Sequence, residues 1–307
     1  MEVPCADDEE GWNAAGCMQT PCGILYGLGM YRFFVERSGI DMENGLCRIT
    51  GKDVNHIGNV LRMRQGEQIL LSTGEREDPV EYLCEIVEIR PDDVTARILD
   101  LQKHARELPL DLYLFQAVPK GDRFETVIEK SVELGVHGIV PVLSARCIVK
   151  LDEKRALKKT ERWNALALSA AKQSKRAFVP AVERPVTWSG AMELARGMDR
   201  VLVPYENAEG ISHTRDVIAD LGRLCIPARG ETADRRGDNG AGTENAVRRR
   251  PGSVGIFIGP EGGFEEREID QLMELGAEVI TLGHRILRTD TAGIAVLSML
   301  MLHLEQD

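Results

Sequence analysis

Residues 253–304 read "SVGIFIGPEGGFEEREIDQLMELGAEVITLGHRILRTDTAGIAVLSMLMLHL", and this stretch decides the fold class. A short apolar run, "SVGIFIG", gives way to a glycine-rich turn and then to "EEREIDQLMELG", which has helical spacing. A second apolar run, "AEVITLG", leads through a polar turn into a final apolar helix, 290–304. Apolar runs of strand length alternating with helical periods predict a parallel sheet covered on both faces. The same alternation reaches back to residue 108. "LDLYLFQAV", "HGIVPVL" and "DRVLVPYE" read as strands; "GDRFETVIEKSVELG", "DEKRALKKTERWNALALSAAKQS" and "ISHTRDVIADLG" read as helices, the first closed by Gly135.

Upstream the period is different. "YRFFVE", "LCRIT", "QILLST", "VEYLCEIVEI" and "VTARIL" are short strands punctuated by Gly and Asp. One helical stretch, "DVNHIGNVLRM", interrupts them, with Asp53 placed as its N-cap. Many short strands with one helix predict a small barrel-like domain over residues 30–102. The second domain runs over 108–307. Residues 1–29 are acidic and lack both the basic and the apolar region of a signal peptide. They read as a disordered extension or a start placed too early. Residues 227–252, rich in Gly and charge, read as a flexible insertion in the second domain, whose Arg248, Arg249 and Arg250 are a solvated run or a phosphate contact.

The net charge is −11, from 38 Lys and Arg against 49 Asp and Glu. That argues against nonspecific nucleic-acid binding but leaves room for a local basic face, because screened charge acts over only about 8–10 Å. The seven cysteines contain no C-x-x-C pair, and the six histidines show no H-E-x-x-H spacing. Reduced thiols and no metal site follow. No apolar run is long enough for a membrane span.

In parallel sheets, ligands sit beyond the carboxyl ends of the strands. Three such ends carry unusual residues: "LVPYEN" (202–207), "FIGPEGGFEE" (257–266) and "LGHRILRTDTAG" (282–293). The second contains neither a P-loop nor a G-x-G-x-x-G fingerprint. Its Glu261, Glu265 and Glu266 disfavour a phosphate, so a neutral or cationic ligand suits it better. In the third, Thr289 or Asp290 serves as a helix cap, and Gly293 marks close approach of another backbone or a ligand. Arg285 and Arg288 are left over, since arginines at a helix N-terminus oppose its dipole. They read as surface ion pairs, or as contacts to anionic RNA or to charge developing on a substrate.

Taken together, "KGDRFETVIEKSVELGV", "IGPEGGFEEREI" and "LGHRILRTDTA" resemble the RsmE family, the 16S ribosomal RNA uridine N3-methyltransferases of the SPOUT superfamily. "MYRFFVE" and "ITGKDVNHIGNVLRMRQGEQILLSTG" resemble that family's PUA-like RNA-binding barrel. The resemblance implies a SPOUT α/β domain with a deep trefoil knot, a cytoplasmic homodimer, S-adenosyl-L-methionine as methyl donor and 16S rRNA of the small subunit as substrate. It implies donor contacts from Leu202, Pro204, Tyr205 and Glu206, from Ile258, Gly259, Pro260, Gly262 and Gly263, and from Leu282, Gly283, Ile286, Leu287, Thr291 and Ala292. Arg285, Arg288 and Glu261 are its catalytic candidates, with Asp290 beside Glu261 as proton acceptor. Arg32, Lys52, His56, Arg62, Arg64 and Arg176 would meet RNA. The chain departs from the family pattern at four places, with Lys172 and Lys175 for the usual Glu and Gly, His284 for Pro and Asp290 for Glu. Two other readings stay open: a SPOUT enzyme acting on a tRNA ribose, and an RNA-binding assembly protein without catalysis.

Overall fold

A computed structural model describes residues 30–75, 80–103, 107–149, 151–206, 210–225 and 252–305. The expectations for residues 1–29 and 227–251 lie outside the described residues. The chain divides into two compact units, one built from residues up to Leu71 together with Tyr82–Leu101, the other from Ser72–Glu81 and Gln102 onward.

The first unit is a six-stranded sheet. Its strands are β1 (Arg32–Phe34), β2 (Ile40–Asp41), β3 (Leu46–Thr50), β4 (Gln68–Ser72), β5 (Val80–Ile89) and β6 (Asp93–Lys103), in the order β1-β4-β5-β6-β3-β2. β3 runs antiparallel to both β2 and β6. Between β3 and β4 lies α1 (Lys52–Asn55), continued by a π-type turn, His56–Val60. Asp53 is not the cap. Gly51 precedes the helix with φ 74°, a left-handed backbone that glycine adopts freely, and Asp53 falls inside the first turn. Cys47 and Cys84 are buried thiols that share a hydrogen bond, and that bond with burial raises the Cys84 pKa. Arg48 at the surface closes on the buried Asp93 carboxylate at 2.7 Å.

The second unit holds β7 (Asp111–Ala117), α2 (Arg123–Glu133), β8 (Gly138–Leu143), α3 (Glu153–Gln173), β9 (Ala181–Val182), β10 (Val186–Thr187), α4 (Trp188–Ala195), β11 (Arg200–Pro204), α5 (Ile211–Leu221), β12 (Ser253–Ile258), α6 (Glu266–Glu274), β13 (Glu278–Ile280) and α7 (Thr289–Leu304). The sheet order is β10-β8-β7-β12-β11-β13, with β9 also on β8, and its pairings are parallel. β9, β10 and α4 were not expected; two-residue strands leave no periodic signal. One face of the sheet packs on α4 and α6 around stacked Phe115 and Phe257, whose rings are 4.4 Å apart. α7 packs against β7, β12 and α2, and α2 meets α3 through Phe124 and Trp163. At the β11–β13 edge, Arg200 forks onto Glu278 and reaches Asp220, holding the Asp220 carboxyl below the usual carboxylate range.

Arg176 corrects an expectation. Its side chain is 4% exposed and cannot lie on an RNA-facing surface. It binds the Glu107 carboxylate at 2.7 Å and donates to the carbonyls of Val132 and Val136. Glu107 also accepts the Ala177 N–H at 2.7 Å. The carboxylate and two carbonyls thus satisfy a buried cation at the end of α3. The preceding residue, Lys175, has φ 60°, and Arg176 N–H bonds back to the Ala171 carbonyl at 3.0 Å. That is a left-handed helix stop, which favours Gly; a lysine there carries steric strain.

Two outcomes follow. Arg176→Ala leaves the nearly buried Glu107 carboxylate without its counter-charge, holding only the Ala177 N–H, and should lower the unfolding free energy by about 3–5 kcal/mol in urea titration. An unchanged midpoint would show that the pair contributes nothing. Lys175→Gly should raise stability by up to about 1 kcal/mol, because relief of the left-handed strain exceeds the added chain entropy of glycine.

Candidate functional site

The carboxyl ends of β11, β12 and the turn after β13 open on one side of the sheet. A cleft of about 820 Å³ lies there. Its walls are Pro204, Tyr205 and Glu206 after β11, Ile258 to Phe264 after β12, and Ile286 to Thr289 with Ala292 before and within α7. A neighbouring hollow of about 410 Å³ shares Tyr205, Glu206, Ile286 and Leu287, and is completed by Leu282, Gly283 and Arg285. The expected donor residues therefore gather, but in two adjoining spaces. Leu202 lines neither: it sits within β11 and is fully buried. Thr291 is exposed on α7 and lines neither space.

The glycine-rich wall is shaped by its own backbone. A Cβ at Gly259 would lie 3.1 Å from the Phe264 nitrogen and 3.2 Å from the Gly263 carbonyl carbon. A side chain there would push that main chain away by a few tenths of an ångström. Gly263 takes φ 69°, and its N–H closes a turn on the Pro260 carbonyl at 2.9 Å. The loop is then held from two sides. Glu261 accepts the Lys120 N–H at 3.0 Å, with Arg123 at 3.8 Å from the same oxygen. Arg146 donates to the Gly262 carbonyl at 2.8 Å. The nearly buried Glu268 carboxylate accepts the Glu265 N–H at 2.9 Å and the Ala145 N–H at 2.9 Å. It joins the start of α6 to the loop that carries Arg146.

The start of α7 differs from expectation. Neither Thr289 nor Asp290 is the cap; Arg288 holds that position with extended backbone and no capping side-chain bond. Thr289 is buried, and its hydroxyl donates to the Gly259 carbonyl at 2.6 Å. The same oxygen accepts from Gln116 of β7 at 2.9 Å. Gly293 admits side chains, not a backbone or a ligand: a Cβ there would lie 3.1 Å from Gln116 Oε1 and 3.4 Å from Leu114. Asp290 stands in the first turn, where its charge suits the helix dipole, and its Oδ1 is buried without a hydrogen bond. The turn before α7 stays ordered with His284 in place of proline. Gly283 takes φ 103°, and Thr281, whose N–H bonds Thr214, accepts the Gly283 N–H at 3.3 Å.

Arg285 and Arg288 separate. Arg288 lines the larger cleft and Arg285 the smaller hollow, and both are exposed. In the first unit, Lys52, His56, Arg62 and Arg64 are exposed along one short stretch, and Arg62 adopts φ 54°. Arg32 is only 7% exposed and so does not belong to that surface. Sequence reading missed Gln116, Lys120, Arg123, Arg146 and Glu268. One signal was present: Gln116 is the lone amide in the otherwise buried run "LYLFQAV".

Comparison with known proteins agrees with this architecture. An RNA methyltransferase domain model matches residues 106–301, and an RNA methyltransferase PUA domain model matches residues 49–99. Ribosomal RNA small subunit methyltransferase E of Bacillus subtilis is 34% identical over 270 residues, covering 88% of this chain and 95% of the relative. A putative methyltransferase of Legionella pneumophila, solved with bound S-adenosylmethionine, is 31% identical at TM-score 0.64, covering 90% of this chain and 98% of the other. Ribosomal RNA small subunit methyltransferase E of Neisseria gonorrhoeae, also solved with S-adenosyl methionine, is 30% identical at TM-score 0.64 and covers 89% and 98%. A cleft at three strand ends, a PUA-type match ahead of a methyltransferase match, and near full-length similarity place the chain in the RNA methyltransferase family of ribosomal RNA small subunit methyltransferase E.

Proposed function

We propose that the protein transfers a methyl group from S-adenosyl-L-methionine to N3 of a uridine in 16S rRNA of the small ribosomal subunit. The observation that carries the reading is the cleft of about 820 Å³ walled by glycine backbone at the carboxyl ends of parallel strands. That size suits a compact cofactor, and the wall carries both signs of charge, Glu206, Glu261 and Glu266 alongside Arg123, Arg146 and Arg288, which suits a ligand bearing both a cationic and an anionic group. Pro204, Tyr205 and Glu206, the 258–263 wall, and Leu282, Gly283, Ile286, Leu287 and Ala292 are the residues that would hold it. When bound, S-adenosylmethionine supplies an electrophilic methyl group on a sulfonium centre.

The chain's own residues do the rest. As N3 of the uracil loses its proton, negative charge spreads onto O2 and O4. Arg288, on the cleft wall, is the group placed to stabilise it. Arg285 faces the adjoining hollow and serves the RNA backbone instead. Glu261 is already engaged by the Lys120 N–H and therefore orients the loop. Asp290 lines neither space and its Oδ1 is buried, so the N3 proton passes to Glu261, a carboxylate on the cleft wall, or to water. Residues 30–102 form the RNA-binding domain and residues 108–307 the knotted methyltransferase domain. Lys52, His56, Arg62 and Arg64 hold RNA phosphates against the acidic average of the chain. The protein works as a cytoplasmic homodimer: α7 carries exposed Leu302 and Met299, and Ile286 just before it is 87% exposed, an apolar surface that a second copy would cover. Among the described residues no helix is long and apolar enough to cross a membrane, and no group of His, Cys, Asp and Glu is placed to hold a metal.

Labelled donor and purified small subunits, followed by nucleoside analysis, test the reading. 3-Methyluridine is the expected product. A 2′-O-methylated nucleoside would point instead to a ribose methyltransferase, and binding without product to an assembly protein. Arg288→Ala should reduce turnover by about 10²–10³-fold while donor affinity measured by calorimetry stays put; full turnover in that variant removes Arg288 from the chemistry. Binding of an RNA fragment should weaken with salt, and each of Lys52→Gln, Arg62→Gln and Arg64→Gln should reduce the log–log slope by about 1. A slope that none of the three variants alters excludes this surface.

A further inference from the structure

Gln116 is fully buried near the end of β7, on a strand otherwise made of apolar side chains over residues 112–115 and 117, Tyr113 included. Its amide nitrogen donates to Thr289 Oγ1 at 2.9 Å and to the Ala117 carbonyl at 3.2 Å. Thr289 donates in turn to the Gly259 carbonyl at 2.6 Å. Donor and acceptor accounting fixes the direction. A carbonyl only accepts, so the Thr289 hydroxyl must donate to Gly259, and its lone pair is then left to accept from the Gln116 amide. Three segments far apart in sequence are thus joined by one relay: β7, the start of α7 and the first residue of the glycine-rich wall.

The relay is costly for folding alone. A buried amide is expensive unless its hydrogen bonds are made, and Gln116 Oε1 makes none among the described residues. The relay also favours glycine at position 293, inside a helix, because a Cβ there would lie 3.1 Å from Gln116 Oε1 and push it aside by a few tenths of an ångström. Glycine in a helix costs about 1 kcal/mol relative to Ala. Leucine at 116 with alanine at 293 would suit a plain strand–helix contact better. What the present residues achieve is a fixed distance between the Gly259 peptide and the residue next to Thr289, which is Arg288. Both line the same cleft.

We infer that Gln116 is a positioning residue for methyl transfer, holding the glycine-rich wall in register with Arg288 through the Thr289 hydroxyl. This rests on the donor-binding reading of the cleft given above. Gln116 touches neither donor nor substrate; it acts through Thr289 and Gly259.

The test compares Thr289→Val, which keeps shape and loses the hydroxyl, with Thr289→Ser, which keeps the hydroxyl. Gln116→Leu and the Gln116→Leu/Thr289→Val double variant complete the set, all in the full-length chain. Calorimetry with S-adenosylmethionine should show about tenfold weaker binding for Thr289→Val and Gln116→Leu, near-normal binding for Thr289→Ser, and no further loss in the double variant. Hydrogen exchange should show faster exchange of the residue 262–264 amides in Thr289→Val, with β8 protection unchanged. Wild-type affinity and exchange in Thr289→Val overturn the inference. So do additive losses in the double variant, or a Thr289→Ser variant as weak as Thr289→Val. Should Gln116→Leu fail to fold, the valine and serine pair still decides. A wild-type chain that binds no donor defeats the proposed function, while the exchange comparison still decides the relay.

Discussion

The backbone at Gly259 lies so close to residues 263 and 264 that a side chain there would push them apart, and the cleft depends on that close approach. Because residue 259 lies against the main chain of 263 and 264, the loop after β12 must double back at once. It does so through the Pro260–Gly263 turn, which needs the left-handed backbone of Gly263. The doubled loop leaves carbonyls and one carboxylate pointing outward. Each is claimed by a different element: Gly259 by Thr289 of α7, Glu261 by the start of the Lys120 turn, Gly262 by Arg146 after β8. A wall held at three points needs no reorganisation when a ligand arrives, which is the form of preorganisation that favours binding and catalysis.

The acidic total of the chain hides a local division of charge. In the second unit, several arginines serve structure: Arg176 inside the end of α3, Arg200 across the β11–β13 edge, Arg146 on a loop carbonyl. In the first unit, four exposed cations, Lys52, His56 when protonated, Arg62 and Arg64, sit close together in sequence. Over a Debye length of about 8–10 Å, such a run matters more to a nearby phosphate than a net −11 spread over the whole molecule.

The strand-rich first domain, the parallel sheet of the second and nearly every long element were legible in the sequence, because periodicity reports burial and burial builds those elements. The three strand ends that form the cleft were legible too, since glycines and charges stand out against apolar runs. What escaped was pairing across long separations. Nothing local in "RTDT" says that Thr289 bonds residue 259 instead of capping its own helix, and nothing in "QSKR" says that Arg176 turns inward onto Glu107. Asp53 failed as a cap for a related reason, since a glycine with positive φ had already set the chain's entry into α1. The substitution of Lys175 for the family's glycine was visible in the sequence, but its meaning, a strained helix stop at φ 60°, was not.

Arg285 and Arg288 looked equivalent in sequence, and the backbone separates them. Residues 282–287 form a turn without helical repeat, so a three-residue interval does not place two side chains on one face. Arg288 then falls at the N-cap of α7 with extended backbone, its side chain on the larger cleft. A cation there opposes the helix dipole by about 0.3–1 kcal/mol. Among the described residues Arg288 forms no ion pair that would offset this cost. Thr289 anchors the position beside it through a buried hydroxyl, so the backbone that carries the arginine is held at the cleft. A cation on the wall of a cleft, set against a dipole, gains most when an anion or a developing negative charge arrives there. Arg285, three residues earlier on the smaller hollow, does not stand at a helix terminus.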